Sequence, residues 1–141
     1  MDIREICENY SVSPQIGAED FAEISRAGYT TVICNRPDNE IPGDLHGEKM
    51  RPLAEAEGLA FHFLPFTHQT LTAEIVARQA ALVEGSPGPV LAYCASGTRC
   101  SVVWSFTQAK HRTADEIIAA TTAAGYQLEG LRPQLEHLAK A

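Results

Sequence analysis

Basic residues are scarce in this chain of 141 residues, in which 11 lysines and arginines stand against 18 aspartates and glutamates. The resulting net charge of −7 disfavours nucleic acid and anionic lipid as main partners, since both are bound through basic patches. We therefore expect neither a nucleic-acid partner nor a membrane partner. An anionic ligand would need a local binding site.

Long hydrophobic runs are also missing. The acidic N-terminus has no apolar run of signal-peptide length, and no stretch approaches the roughly 20 apolar residues of a membrane span. Repeats and low-complexity segments are absent as well. The sequence predicts a single globular domain over residues 1–141, with a cytoplasmic location as the default.

Cysteine is infrequent, and no Cys-x-x-Cys pair occurs. The four cysteines are therefore expected to be free thiols in a reducing compartment. Cys7 near the start and Cys34 at the end of a strand receive no catalytic role. No spacing that indicates a zinc site links the cysteines to His46, His62, His111 or His137, so we expect no metal and no cofactor.

Strand-like and helix-like segments alternate along the chain. Strands are predicted near 10–12, 30–34, 59–64 and 89–93, and helices over 18–27, 45–57, 72–84, 99–106, 113–124 and 133–140. Right-handed crossovers between parallel strands place helices on both faces of a sheet. The sequence predicts an α/β domain with a mostly parallel central sheet of about four to five strands.

The segment with the strongest chemical signal is Cys94-Ala95-Ser96-Gly97-Thr98-Arg99, which lies between a buried strand and a helix. A cysteine at a helix N-terminus lies in a positive field that favours the thiolate. Gly97 allows successive amides to point at an anion, and Arg99 adds a two-pronged donor. We therefore predict that Cys94 is a nucleophile in an anion-binding loop.

Other loops are expected to converge on Cys94, because ligands of such sheets bind beyond the carboxyl ends of the strands. The loop over 34–38 brings Arg36, which could hold an anionic substrate, and Asp38, which could orient Arg36 or Arg99. The loop over 66–68 brings His68. Cys100, immediately after Arg99, could resolve an oxidised or persulfidated Cys94 by forming a disulfide.

The spacing of the Cys94 loop resembles two families of cysteine enzymes. Protein tyrosine and dual-specificity phosphatases have five residues between the Cys and the Arg, whereas four separate Cys94 from Arg99. The shorter loop resembles that of rhodanese-type sulfurtransferases, which carry sulfane sulfur as a cysteine persulfide. The rhodanese Asp-Val-Arg and Gly-His-Ile-Pro-Gly segments are not visible in this chain.

Nearly the whole chain resembles a third group, the bacterial phosphatase-like domain that also occurs fused to metallo-β-lactamase-type hydrolases. The resemblance is carried by Ser11-Val12-Ser13-Pro14-Gln15, by residues 31–38 and by residues 89–99. It implies a fold like that of dual-specificity phosphatases, and a hydrolase or dioxygenase as a possible partner.

Three functions follow as hypotheses. The first is a sulfurtransferase in which a Cys94 persulfide passes sulfur from a small persulfide donor to a thiol acceptor or cyanide. The alternative is a protein tyrosine or dual-specificity-type phosphatase that acts on phosphotyrosine or a small anionic phosphoester through a Cys94 phosphocysteine, with His68 or water replacing the aspartate that normally protonates the leaving oxygen. The third is an anion-binding or redox-sensing module whose output is a Cys94–Cys100 disulfide. The short loop and the missing aspartate favour sulfur transfer.

Overall fold

Five short strands form one sheet in the computed structural model, which describes residues 1–141. The strands are β1 (Arg4–Cys7), β2 (Tyr10–Ser13), β3 (Thr31–Cys34), β4 (Ala60–Phe63) and β5 (Val90–Tyr93). Their order across the sheet is β1-β2-β5-β3-β4, and only the pairing of β1 with β2 is antiparallel. The predicted mostly parallel sheet is confirmed.

Six α-helices cover both faces of this sheet. They are α1 (Phe21–Arg26), α2 (Gly47–Glu55), α3 (Ala73–Glu84), α4 (Thr98–Thr107), α5 (Ala114–Ala123) and α6 (Arg132–Lys140). Alternate strand residues point to opposite faces, so Ile33 and Ala92 lie in one core layer with side chains of α3 to α6. Val32 and Leu91 lie in the other layer with side chains of α1 and α2. The chain is thus one α/β domain with helices on both faces.

Two of the predicted helix starts are confirmed by their caps. The hydroxyl of Thr113 accepts from the amide of Glu116 at 3.1 Å, and the Glu116 carboxylate accepts from the Thr113 amide at 2.8 Å. This is a capping box at the start of α5. At the start of α3, the hydroxyl of Thr72 accepts from the amide of Ile75 at 3.3 Å.

The sequence does not predict β1, and it places the start of α2 too early. β1 is a charged strand at the sheet edge with only Ile6 buried, so it lacks the apolar run that marks the inner strands. The predicted helix at 45–57 is preceded by a separate 3₁₀ turn, Gly43–Leu45, and His46 is extended. The α-helix therefore begins at Gly47.

The site lies at the carboxyl end of the sheet. β5 is the central strand, and β2 and β3 are its neighbours. The loops after β2 and β3 therefore lie on either side of the Cys94 loop, which follows β5. The Gln15 amide donates to the carbonyl of Ala95 at 3.3 Å, and the Asn35 amide donates to that of Tyr93 at 2.9 Å. None of the six helices combines the length and apolarity that crossing a bilayer requires.

Candidate functional site

Cys94 follows β5 directly and lies beneath the first turn of α4. Its residue surface is only 1% exposed, so the sulfur sits at the bottom of the loop rather than on the surface. The amide of Gly97 donates to the Cys94 Sγ at 3.2 Å. A strand-to-helix turn at the sheet centre therefore aims the sulfur at the free amides of a helix N-terminus.

These donors make Cys94 an unusually acidic thiol. The Cys100 side chain and the amides of Cys100, Gly97 and Ser96 lower the pKa of Cys94 to about 5, although burial opposes them. An ordinary cysteine titrates near pH 8.5. Cys94 is therefore a thiolate at neutral pH, which is the form that attacks electrophiles.

Gly97 is required by the shape of the loop. Its φ of +93° lies in the left-handed region that side chains disfavour. A Cβ atom at Gly97 would also collide with the hydroxyl of Tyr126. That hydroxyl donates to the carbonyl of Ser96 at 3.0 Å, and Arg4 lies over the Tyr126 ring at 5.3 Å. The segment after α5 therefore closes over the Cys94 loop from outside.

Arg99 is held by a carboxylate that the sequence analysis did not identify. Its Nη2 donates to Glu40 Oε1 at 2.7 Å, and its Nη1 donates to Glu40 Oε2 at 2.9 Å and to the Phe66 carbonyl at 3.2 Å. The Nε–H and one Nη2 N–H have no protein acceptor. These two groups form the other edge of the guanidinium, which is free to bind an oxyanion in bidentate fashion.

Arg36 and Asp38 have different roles from each other. Arg36 donates to Glu40 Oε1 at 3.1 Å and to Gln15 Oε1 at 3.2 Å, so it supports the carboxylate that orients Arg99. Asp38 contacts neither arginine. Its Oδ1 accepts from the amide of Gly47 at 2.9 Å and so caps the start of α2.

Glu40 is thus the residue that does what the sequence analysis expected of Asp38. It lies in a short 3₁₀ turn, Asp38–Glu40, that directs the third residue of the turn toward Arg99. Arg99 and Arg36 lower the pKa of Glu40, so this carboxylate stays ionised. The spacing of Arg36 and Glu40, four residues apart, is the only sequence signal that pointed to the pair.

His68 lies at the mouth of the site. A polar pocket of about 370 Å³ is lined by Glu40, Thr67, His68, Gln69, Ser96, Thr98 and Arg99, and has no hydrophobic lining residue. Because Glu40 is ionised and bound to Arg99, His68 is the remaining titratable side chain that could give a proton to a leaving group in this pocket.

Cys100 is in the first turn of α4, and its side chain lies beside that of Cys94. The Cys100 side chain is fully buried, and burial together with the neighbouring Cys94 raises its pKa well above the usual range. Cys100 therefore remains a protonated thiol beside the Cys94 thiolate. In this state its main effect is to stabilise the negative charge on Cys94.

A buried hydrogen-bond chain behind the loop was missed by the sequence analysis. The Tyr10 hydroxyl donates to the carbonyl of Cys100 at 2.8 Å and accepts from Gln79 Nε2 at 3.1 Å. Gln79 and Asn35 also bond each other through their side-chain amides, and Asn35 Nδ2 reaches the carbonyl of Leu64 at 2.9 Å. These hydrogen bonds thereby connect the first turn of α4 to β2, to the end of β3 and to α3.

Comparison with known proteins gives this site a family. A model described as the beta-lactamase hydrolase-like protein, phosphatase-like domain matches residues 2–111. The beta-lactamase hydrolase-like protein of Xylella fastidiosa is 32% identical over 131 residues, which are 91% of this chain and 30% of that protein. The protein of the same description from Agrobacterium fabrum is 33% identical over 105 residues. The chain thus spans less than a third of the length of these relatives.

Solved structures agree with the family model. A candidate phosphatase from Neisseria meningitidis superposes with a TM-score of 0.84 at 36% identity, covering 98% of this chain and 99% of that one. The core catalytic domain of the Saccharomyces cerevisiae PP-IP phosphatase SIW14 shares the fold alone, with a TM-score of 0.69 at 14% identity over 95% of this chain and 82% of that one.

These relatives favour the phosphatase alternative over the sulfurtransferase that the loop spacing led us to expect. They lend no support to a rhodanese-type assignment of the loop, although the four-residue spacing itself is a fact of the sequence. The acidic Cys94 and the anchored Arg99 lie on the scaffold that the relatives share, and the chain accordingly belongs to the family of beta-lactamase hydrolase-like protein phosphatase-like domains, which have a cysteine-based phosphatase fold.

Proposed function

We propose that this chain is a cysteine-dependent phosphatase that hydrolyses phosphomonoesters through a Cys94 phosphocysteine. The observation that carries the proposal is geometric: the Cys94 Sγ accepts from the Gly97 amide at 3.2 Å at the start of α4, and one edge of the Arg99 guanidinium in the same loop has no protein acceptor. These donors agree with the lowered pKa of Cys94, about 5, which makes it a thiolate at neutral pH. The family supports the same chemistry, since its description is phosphatase-like.

The first step transfers the phosphoryl group to sulfur. The Cys94 thiolate attacks phosphorus, a P–S bond forms and the P–O bond to the leaving group breaks. The free edge of Arg99 and the loop amides bind the nonbridging oxygens, whose negative charge they neutralise in the transition state. The leaving oxygen departs with the bonding electrons and takes one proton.

In the second step, water attacks the phosphocysteine, the P–S bond breaks, and Cys94 returns as a thiolate with release of inorganic phosphate. We propose His68 as the group that gives the proton in the first step and accepts one from water in the second. It lines the same polar pocket as Arg99, on the loop that follows β4.

Hydrolysis of p-nitrophenyl phosphate tests the nucleophile. We expect turnover by the wild-type chain and its loss in Cys94→Ser, because serine is not ionised at neutral pH. Cys7→Ser is a matched control, since Cys7 lies on the edge strand β1 away from the site. Acid quench of a turning-over sample should trap phosphate on the Cys94 peptide. Equal activity of Cys94→Ser and wild type would refute the proposal.

The leaving group tests His68. An alkyl phosphate needs a proton on its leaving oxygen far more than a nitrophenyl ester does, so His68→Asn should lower kcat/KM, which reports only the first step, about 100-fold for an alkyl ester. The kcat/KM for the nitrophenyl ester should fall much less. His137→Asn, on the exposed side of α6, is the control histidine. Equal losses for both esters in His68→Asn would exclude His68 as the acid.

Sulfur transfer is the second candidate, and the four-residue loop between Cys94 and Arg99 is the observation that favours it. The Cys94 thiolate would attack the sulfane sulfur of thiosulfate, the S–S bond would break, and sulfite would leave with the electron pair and without needing a proton. An acceptor thiolate or cyanide would then attack the outer sulfur of the persulfide and release the Cys94 thiolate.

Assays of the same protein with thiosulfate plus cyanide separate the two candidates. If phosphatase chemistry is the function, thiocyanate formation should be negligible beside phosphate ester hydrolysis. Thiocyanate formation that depends on Cys94, together with no ester hydrolysis, would instead establish sulfur transfer.

A further inference from the structure

A large apolar groove lies beside the polar pocket that contains Arg99. Its volume is about 740 Å³, and ten of its sixteen lining residues are hydrophobic. Ligand sites in proteins commonly measure 300–1,000 Å³ and are lined mainly by apolar side chains. The groove is formed by α3, α4 and α6 and by the loop before α3, and of its lining residues the proposed chemistry uses only His68.

The groove and the polar pocket adjoin each other. His68 lines both of them. One face of α4 also runs from one to the other, because Thr98 lines the polar pocket whereas Val102 and Phe106, four and eight residues later, line the groove. At 1.5 Å per residue, the groove begins about 6 Å along the helix from the anion site.

The surface of the groove is accessible rather than sealed. Val76 of α3, Phe106 of α4 and Leu138 of α6 are each only partly buried, and Ala77 of α3 is exposed. Apolar side chains of three helices therefore face one trough that no other part of the chain covers. A contiguous apolar surface of this kind usually marks a binding site.

The charge of the groove selects among possible occupants. The chain has 18 acidic residues and a net charge of −7, yet no acidic residue lines the groove, and Lys110 lies in the turn beyond α4 at its far side. In the adjoining polar pocket, the one carboxylate, Glu40, is paired with Arg99. This distribution suits an anionic amphiphile better than a second copy of an acidic chain.

We propose that the groove binds the hydrocarbon body of the substrate, and that the substrates are amphiphilic phosphomonoesters with the phosphate in the Cys94 loop and an alkyl chain along α4. This inference rests on the proposed phosphatase function for its anion site. It adds the substrate class, which the Cys94 loop alone leaves open.

Alkylphosphonates test the groove without catalysis, because their P–C bond is not hydrolysed. We expect the affinity measured by isothermal titration calorimetry to rise about two- to fourfold for each methylene added from ethyl- to octylphosphonate, as apolar surface is buried. All ligands are used as monomers, below the concentration at which they form micelles.

The variant Ala77→Trp fills the groove at an exposed position and should fold normally. This variant should lose most of the increase in affinity that a longer alkyl chain gives, but its affinity for ethylphosphonate should be unchanged. Ala81→Trp is the matched control, since Ala81 is exposed on the same helix but does not line the groove, and it should behave as wild type. Circular dichroism checks the fold of both variants.

Three results would overturn the inference. Equal affinity for all chain lengths would leave the groove to another occupant, such as a partner domain. If the affinity of Ala77→Trp still rises with the length of the alkyl chain, the alkyl chain binds elsewhere. A loss of self-association in Ala77→Trp, seen by size-exclusion chromatography, would make the groove an interface between copies.

The phosphatase function is judged separately. If p-nitrophenyl phosphate is turned over through Cys94 but chain length has no effect, only the groove assignment fails. If affinity rises with chain length but no phosphate ester is hydrolysed, the groove assignment stands and the proposed function fails.

Discussion

At the scale of single residues, the reactivity of Cys94 depends on the side chain beside it. Cys100 is the largest of the influences that lower the pKa of Cys94 to about 5. Only the thiolate is nucleophilic, so activity should rise as the pH increases through about 5.

The variant Cys100→Ala removes this stabilisation, so the pKa of Cys94 should rise by about one unit or more. The acid limb of the activity profile should move to higher pH by the same amount, and activity at pH 6 should fall. The rate of Cys94 alkylation by iodoacetamide, followed by mass spectrometry as a function of pH, measures this directly. Cys100→Ser keeps a donor and should restore the limb; an unshifted limb in Cys100→Ala would contradict the role of Cys100.

Glu40 is the second decisive residue, because it fixes which edge of Arg99 faces the ligand. In Glu40→Gln the charge that anchors the guanidinium is lost, and kcat/KM for p-nitrophenyl phosphate should fall about tenfold or more through misplacement of Arg99. The acid limb of the pH profile should stay in place, since Cys94 is not altered. Asp38→Asn keeps an acceptor for the α2 amide and should retain activity; equal losses in the two variants would contradict the assignment of Glu40.

At the scale of elements, α3 supports the Cys94 loop through a buried hydrogen-bond network. Gln79 is fully buried and bonds Asn35 and the Tyr10 hydroxyl, which in turn holds the Cys100 carbonyl in the first turn of α4. A buried chain of this kind is costly to break, because each remaining polar group stays out of water without a partner.

Gln79→Leu should therefore lower the free energy of unfolding by about 3 kcal/mol, as measured by urea denaturation. Arg78→Ala, at the neighbouring exposed position of α3, should change it by less than about 0.5 kcal/mol. A small effect of Gln79→Leu would mean that Asn35 and Tyr10 find other partners. Since this network of hydrogen bonds reaches the Cys100 carbonyl, Gln79→Leu should also lower activity at temperatures at which the variant remains folded.

At the scale of the whole molecule, one sheet joins two core layers. Adjacent residues of β3 and β5 point into opposite core layers. If one layer loses its packing, the strands that the other layer packs against are therefore disrupted as well. We expect a single unfolding transition, as is usual for domains of this size. Far-ultraviolet circular dichroism and the fluorescence of Trp104, which lies in one layer only, should give coincident urea transitions. Separate transitions would mean that the layers unfold independently.

The sequence alone predicted four of the five strands, the six α-helices and Cys94 as the candidate nucleophile. The β-branched inner strands, the capping residues Thr72 and Thr113, and the placement of Cys94 between a buried strand and a helix are local features, and local features can be read from short windows of sequence. The edge strand β1 escaped prediction because an exposed, charged strand has no distinct local pattern.

The tertiary structure alone decided which residues complete the site. Glu40, rather than Asp38, reaches Arg99 because a 3₁₀ turn after β3 rotates it toward α4 while Asp38 caps α2. Such contacts join residues 59 positions apart, and no local pattern specifies them. The loop spacing around Cys94 favoured sulfur chemistry, whereas the arrangement of the whole chain is that of a phosphatase-like family, because a fold is set by all of its packing and a loop only by its own residues.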